Sequence, residues 1–316
     1  MLNRRHLRVK VLQALYAYHQ SDTKEIKSFE KHLLGSIDQV FEMYIWMLSL
    51  ISEVVDYTSR DAEERANKHL PSAEDLNANK KLLTNKFITS LLDNKEYILA
   101  VKKYKVEWSF DPELAKSLFD TLKASPDYAE YLAKTDDSIQ SDKDIIKFIF
   151  KKVILKSSLA EQVFEDKFIY WPVDKEVLQA LIAKTFKNFS SDDKPEQNKL
   201  AEISGNWVED REFVVNLFEQ TIRHDAAYQE LIAQKTQNWE PDRIAMMDTL
   251  LMKMAIVEFL NFTSIPVKVT INEYLEISKE FSTPKSNSFI NGILDKILAE
   301  LKAENKIKKM GRGLIE

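Results

Sequence analysis

Three arginines stand close together near the front of the chain, Arg4, Arg5 and Arg8, in the first two turns of a segment patterned as a helix. Cations at that end oppose the helix macrodipole, at about 0.3–1 kcal/mol each when exposed. Three such choices in a row, beside the unpaired N–H groups of a helix start, make a compact anion site suited to the phosphate backbone of RNA or DNA. Two plainer readings stand beside it: arginines exposed like those of any soluble protein, and an arginine-rich leader of the organellar type. No serine precedes Ser21, and the apolar face of the segment is built to stay packed, both of which speak against a leader.

Other chemistry finds little footing. The 316 residues contain no cysteine, so disulfides, thiolate metal sites and thiol nucleophiles are excluded. The five histidines, His6, His19, His32, His69 and His224, show no ligand spacing. Only five glycines occur, and the one close pair, Gly311 and Gly313, sits in the tail, which disfavours a glycine-rich phosphate loop and any nucleotide cofactor held by one. No nucleophile lies beside a base, so the sequence reads as a binding protein rather than an enzyme. A net charge of −5 offers no global attraction to nucleic acid, and binding there needs a local patch. No apolar run is long enough to span a membrane.

The elements that must position the arginines are helical. Asn3 caps a helix running to about Gln20, with Leu7, Val11, Ala14, Leu15 and Tyr18 on one face. Near the other end of the chain, Pro241–Phe262 is apolar almost all round, which marks a helix buried on every side. Val267–Phe281 begins with a strand-like alternation, but Ile271, Leu275, Ser278 and Phe281 continue at helical spacing and its length favours a helix. Ser288–Leu301 carries a clear apolar stripe. Two residues here break local rules. Glu258 falls on an apolar face, where an ionised carboxylate needs bonding partners, and is expected to tie down the next loop or helix start. Gly292 interrupts a good helix at about 1 kcal/mol relative to alanine, which suggests close approach of a second helix.

The middle reads as helix after helix. Ile37–His69 is one long helix, apolar early and charged late, and a shorter one lies near Ser28–Leu34. A Trp-x-x-Asp frame recurs at similar spacings as Trp108–Asp111, Trp171–Asp174 and Trp239–Asp242. Each follows a helix and a shorter helix and leads into the next, so the region reads as one or two diverged copies of part of the core. Asp111-Pro112-Glu113 is a well-formed helix opening. Thr135–Asp144 and Ser190–Gln197 read as linkers or loops, Val208–Gln237 as one long, kinked helix, and residues 302–312 as a basic tail.

Several of these stretches resemble one family. Asp242-Arg-Ile-Ala, Lys253-Met-Ala-Ile-Val-Glu258, Ile265-Pro-Val-Lys-Val-Thr-Ile-Asn272-Glu273, Ser278-Lys-Glu-Phe281 and Phe289-Ile-Asn-Gly-Ile-Leu-Asp-Lys296 follow the C-terminal half of the NusB family without an evident gap. Arg4-Arg-His-Leu-Arg8 and Leu12-Gln-Ala-Leu-Tyr16 are similar to its arginine-rich opening, with His6 where a further arginine is often found. The resemblance implies an all-α protein: a NusB-like helical bundle from residues 1–36 and 206–316, with a large helical insertion over 37–205. It implies a cytoplasmic, bacterial transcription antitermination factor, without enzyme activity or cofactor. Such a factor pairs with the small-subunit ribosomal protein NusE, captures boxA RNA on nascent ribosomal RNA transcripts and joins the RNA polymerase antitermination complex. By matching positions Arg4, Arg5, Arg8, Tyr16, Asp248, Lys253 and Phe289 are the expected RNA-binding residues. Lys285 stands where the family often carries an acid, which puts the partner-facing role of that loop in question. Two rivals remain: a non-enzymatic scaffold whose insertion binds protein, and a fusion of the RNA methyltransferase kind, for which the middle supplies no glycine-rich cofactor loop.

Overall fold

The computed structural model describes residues 1–136, 138–189, 198–236 and 244–314. Among them are fifteen α-helices and no strand. They form two compact units, one of Asp38–Ile203 with Met1, the other of Leu2–Ile37 and Ser204–Glu316. The long helix α2 contributes its first residues, 26–37, to the second unit and the rest to the first.

α1 (Arg4–Gln20) starts where the sequence places it. The Asn3 side chain accepts from the His6 backbone N–H, and the His6 ring returns the bond to the Asn3 N–H. α2 (Ile26–Ala66) absorbs the short helix expected near Ser28–Leu34: it runs straight through Gly35, whose cost of about 1 kcal/mol is small beside the burial of Leu33, Ile37 and Val40 on either side.

The first unit continues through α3 (Ala73–Leu76), α4 (Lys86–Leu92), α5 (Lys95–Tyr104), α6 (Pro112–Lys123), α7 (Pro126–Ala133), α8 (Ile139–Phe148), α9 (Ser158–Lys167) and α10 (Trp171–Asn188). Asp111 caps α6 with Pro112 in its first turn. Trp108 and Trp171 are both buried anchors, donating from Nε1 to Ser49 Oγ and to Glu161 Oε1 at 3.2 Å each. Trp239 and Asp242, and the loop expected at residues 190–197, lie outside the described residues. Thr135–Asp144 is only partly a loop, since Ser138 caps α8 through the Ser141 N–H and the apolar positions after it pull the chain into a helix.

The second unit adds α11 (Trp207–Arg223), α12 (Asp225–Lys235), α13 (Met246–Asn261), α14 (Val267–Phe281) and α15 (Ser286–Ala303). The stretch read as one kinked helix is two. His224 leaves the helical region and α12 restarts with Asp225 in its first turn, favourable to its dipole. α13 is the hub of this unit: residues 250–259 are all buried, as its all-round apolar sequence requires. In α14 the helical spacing of Thr270, Tyr274, Ile277 and Ser278, all buried, prevails over the short alternation at its start. The α15 stripe of Ile290, Ile293, Leu294, Ile297 and Leu301 is buried in the same core. Gly292 does not mark a close approach. It is exposed, and a Cβ there would meet nothing within 4 Å.

Candidate nucleic-acid interface

The start of α1 lies against α11, α13 and α14, and the three arginines meet three different surroundings. Arg8 points inward. Its side chain is 2% exposed, and it grips Glu258 with Nε to Oε1 at 2.6 Å and Nη2 to Oε2 at 2.8 Å. Glu258 is fully buried and also accepts from Tyr274 OH at 2.7 Å and Thr270 Oγ1 at 3.2 Å. The acid thus ties the first two turns of α14 to α13 and to α1, and so secures the helix start that follows it. Burial opposes the Arg8 charge, but the hydrogen bonds and charge of Glu258 outweigh it and raise the guanidinium pKa. Burial, then the neighbouring carboxylate, pushes the Tyr274 hydroxyl well up, so it stays a donor.

Arg5 and Arg4 reach the surface. Arg5, 40% exposed, forms a two-pronged pair with Glu273 at 3.0 and 2.9 Å, and that hydrogen-bonded partner raises its pKa. Arg4, 32% exposed, bonds Glu209 at 2.5 Å, approaches Asp210 at 3.6 Å and lies 4.4 Å over the Phe213 ring. Both line a cleft of about 1050 Å³, as do Phe213, Phe262, Ile265, Pro266 and the little of Arg8 that is exposed. Phe213 and Phe262 meet edge to face at 5.1 Å. The guanidiniums therefore do not form one bare cationic cluster. Two are rim groups whose carboxylate partners a phosphate could replace, and the third is locked in the core, contrary to its expected place on a binding lip.

The other expected residues divide as well. Tyr16 is 40% exposed and lies on the same side of α1 as Arg5, about 16 Å further along the axis. Asp248 is buried and accepts from Ser282 Oγ at 2.5 Å and Ser286 Oγ at 2.8 Å, which fastens the turn between α14 and α15. Lys253 is buried and bonds Asp225 Oδ1 at 2.6 Å, pinning the start of α12. Phe289 is half-buried beside Asp248, Pro284 and Lys285 in a second hollow of about 580 Å³, which shares no lining residue with the cleft. Sequence reasoning missed Glu209 and Glu273, which hold the rim arginines, because nothing local marks a carboxylate whose partner is over 200 residues away. It also missed Lys309. That residue of the supposedly free tail donates to the Glu258 and Phe262 carbonyls at 2.9 and 2.8 Å, closing the C-terminal end of α13. Among the described residues no group of three histidine, aspartate or glutamate side chains is placed to hold a metal, and no helix is long and apolar enough to cross a membrane.

Comparison with known proteins places this arrangement. The NusB family model matches residues 173–299, from α10 into α15. The transcription antitermination protein NusB of Koribacter versatilis is 37% identical over 118 residues, 37% of this chain and 81% of that protein. The chain belongs to the NusB family. The proteins of the same name from Salinibacter ruber and Chloroherpeton thalassium are 42% and 38% identical over 105 and 109 residues, 33% and 34% of this chain. This NusB-family chain spans only 66% and 52% of their respective lengths. No solved structure matches. The family match takes in Asp248, Glu258, Glu273 and Phe289, whereas α1 with its arginines lies before it.

Proposed function

We propose that this NusB-family protein is a cytoplasmic, non-enzymatic transcription antitermination factor that binds boxA RNA of nascent ribosomal RNA transcripts together with NusE, within an RNA polymerase antitermination complex. The observation that carries the RNA contact is the pair of part-exposed guanidiniums, Arg4 and Arg5, on the rim of a cleft walled by Phe213 and Phe262. Cations at such a rim hold phosphates, and single-stranded RNA is commonly read by stacking unpaired bases on aromatic side chains. Tyr16 and Phe289 are the partly exposed aromatics proposed to extend the contact. Arg8, Asp248 and Lys253 serve it by holding α1, α14, α15 and α12 in place.

A boxA titration over a salt series tests this reading. Replacing Arg4 and Arg5 together by glutamine, with Arg8 left intact, is expected to weaken binding and flatten the log–log salt slope by about 1.5, at roughly 0.7 per phosphate on a single strand. Copurification with NusE tests the partner. One observation favours a second reading, a scaffold with little RNA binding. Glu209, Asp210 and Glu273 already occupy the rim arginines, and Glu212 adds a further acid to the cleft. Unchanged affinity and slope in the double variant would select it.

A further inference from the structure

The segment joining α8 to α9 follows a four-residue rhythm. Apolar pairs recur as Ile145-Ile146, Ile149-Phe150 and Val153-Ile154, and all six side chains are buried. Lys147, Lys151, Lys152 and Lys156 occupy positions between and after them, the last three exposed and Lys147 half-buried. An α-helix turns every 3.6 residues, so a repeat of four would wind off the core within a few turns. The chain widens instead. Residues Ile149–Val153 form a π-turn and Ile154–Lys156 a 3-10 turn, which keeps the apolar pairs inward and the lysines outward.

The resulting ridge carries charge of one sign. No acid occurs between Asp144 and Glu161. Lys147 reaches back to Asp144 at 2.8 Å, whereas Lys151, Lys152 and Lys156 have no ion-pair partner among the described residues. Among the described residues some lysines of the same unit, such as Lys68, Lys103 and Lys123, are paired with carboxylates, and others, such as Lys95, Lys102 and Lys116, are not. What distinguishes the ridge is grouping: three exposed lysines without a carboxylate partner, Lys151, Lys152 and Lys156, lie within six residues on an acid-free stretch, in a chain of net charge −5.

We infer that this lysine ridge is a second RNA contact, gripping phosphates without regard to base sequence, in a region the family match does not reach. Lysine is a hydrated point charge rather than a planar fork, which suits a repeating phosphate backbone better than a specific carboxylate. An anionic membrane is a poorer fit, because surface binding of that kind needs apolar side chains to insert and the six large ones here are buried. The choice of RNA as the polyanion rests on the function proposed above.

The test is titration of the full chain with a single-stranded oligoribonucleotide of mixed sequence over a salt series. Replacing Lys147, Lys151, Lys152 and Lys156 by glutamine is expected to flatten the log–log slope by about 3, and replacing them by arginine to leave it intact. Circular dichroism shows that both variants keep their helices. An unchanged slope in the glutamine variant overturns the ridge, even where the Arg4/Arg5 variant weakens binding and the α1 reading stands. A flattened slope there, with the Arg4/Arg5 variant unaffected, supports the ridge and removes the α1 reading. Absence of RNA binding by the wild type, or a ridge effect seen only with acidic vesicles or an acidic peptide, overturns it.

Discussion

Arg8 and Glu258, 250 residues apart, close a two-pronged ion pair inside the protein, with 2% and 0% of their side chains exposed. Taking both charges out of water is costly, and only good geometry with further hydrogen bonds offsets it. Here Tyr274 and Thr270 supply those bonds to the carboxylate. Removing one partner strands the other. Arg8→Met is therefore expected to lower the unfolding free energy by about 3–5 kcal/mol in denaturant titration. The double variant Arg8→Met, Glu258→Met should recover a large part of that loss. Equal destabilisation in the single and double variants would show that packing, not the stranded charge, sets the cost.

Gly292 behaves in the opposite direction. It lies within α15, is exposed and leaves open space where a Cβ would go. A glycine in a helix interior costs about 0.8–1 kcal/mol relative to alanine, part of it through the freedom of the unfolded chain. Gly292→Ala is expected to raise stability by up to about 1 kcal/mol, read as a higher denaturant midpoint at unchanged slope. A loss of stability would reveal a contact that the close-approach expectation foresaw and the structure does not contain.

What could be read from the sequence was whatever short-range chemistry decides. The Asn3 cap, the extent of α14 after Pro266 and the buried hub of α13 follow from neighbours within a few turns. The location of Arg8 could not be read this way. Three arginines on adjoining positions look alike until Glu258 takes one, Glu273 another and Glu209 the third, all from elements far along the chain. Asp248 and Lys253 are similar cases, polar residues whose partners Ser282, Ser286 and Asp225 turn them into fasteners. The lysine ridge escaped notice because α-helical periodicity scatters its members, and only the π-turn restores their alignment.

Lys309 offers a pH test. Its amine is half-buried against the end of α13, and burial pushes its pKa down to about 8, with the Glu258 charge opposing the shift. The unfolded chain has an ordinary lysine, 10.5. Between those values the unfolded state binds more protons than the folded state, so stability rises with pH across that window and is flat below it. Denaturant midpoints measured from pH 7.5 to 10 should rise more steeply in the wild type than in Lys309→Met. Identical slopes would mean that the amine titrates as an ordinary surface lysine.

Glu209 connects stability to the proposed function. It is 65% exposed, and it lines the cleft together with Arg4, which it bonds. A pair this open contributes only about 0.2–1 kcal/mol, so its removal should leave folding almost untouched. A phosphate that takes the Arg4 Nη2 donor competes with this carboxylate. Glu209→Gln is therefore expected to strengthen RNA binding by up to about fivefold, the same 0.2–1 kcal/mol expressed as affinity. The salt slope should steepen as Arg4 becomes available to a further phosphate. Titration of the variant and the wild type with one RNA at matched ionic strength decides the point. Weaker binding in the variant would mean that Glu209 orients Arg4 for the RNA, and identical binding that the RNA does not compete for the donor Glu209 holds.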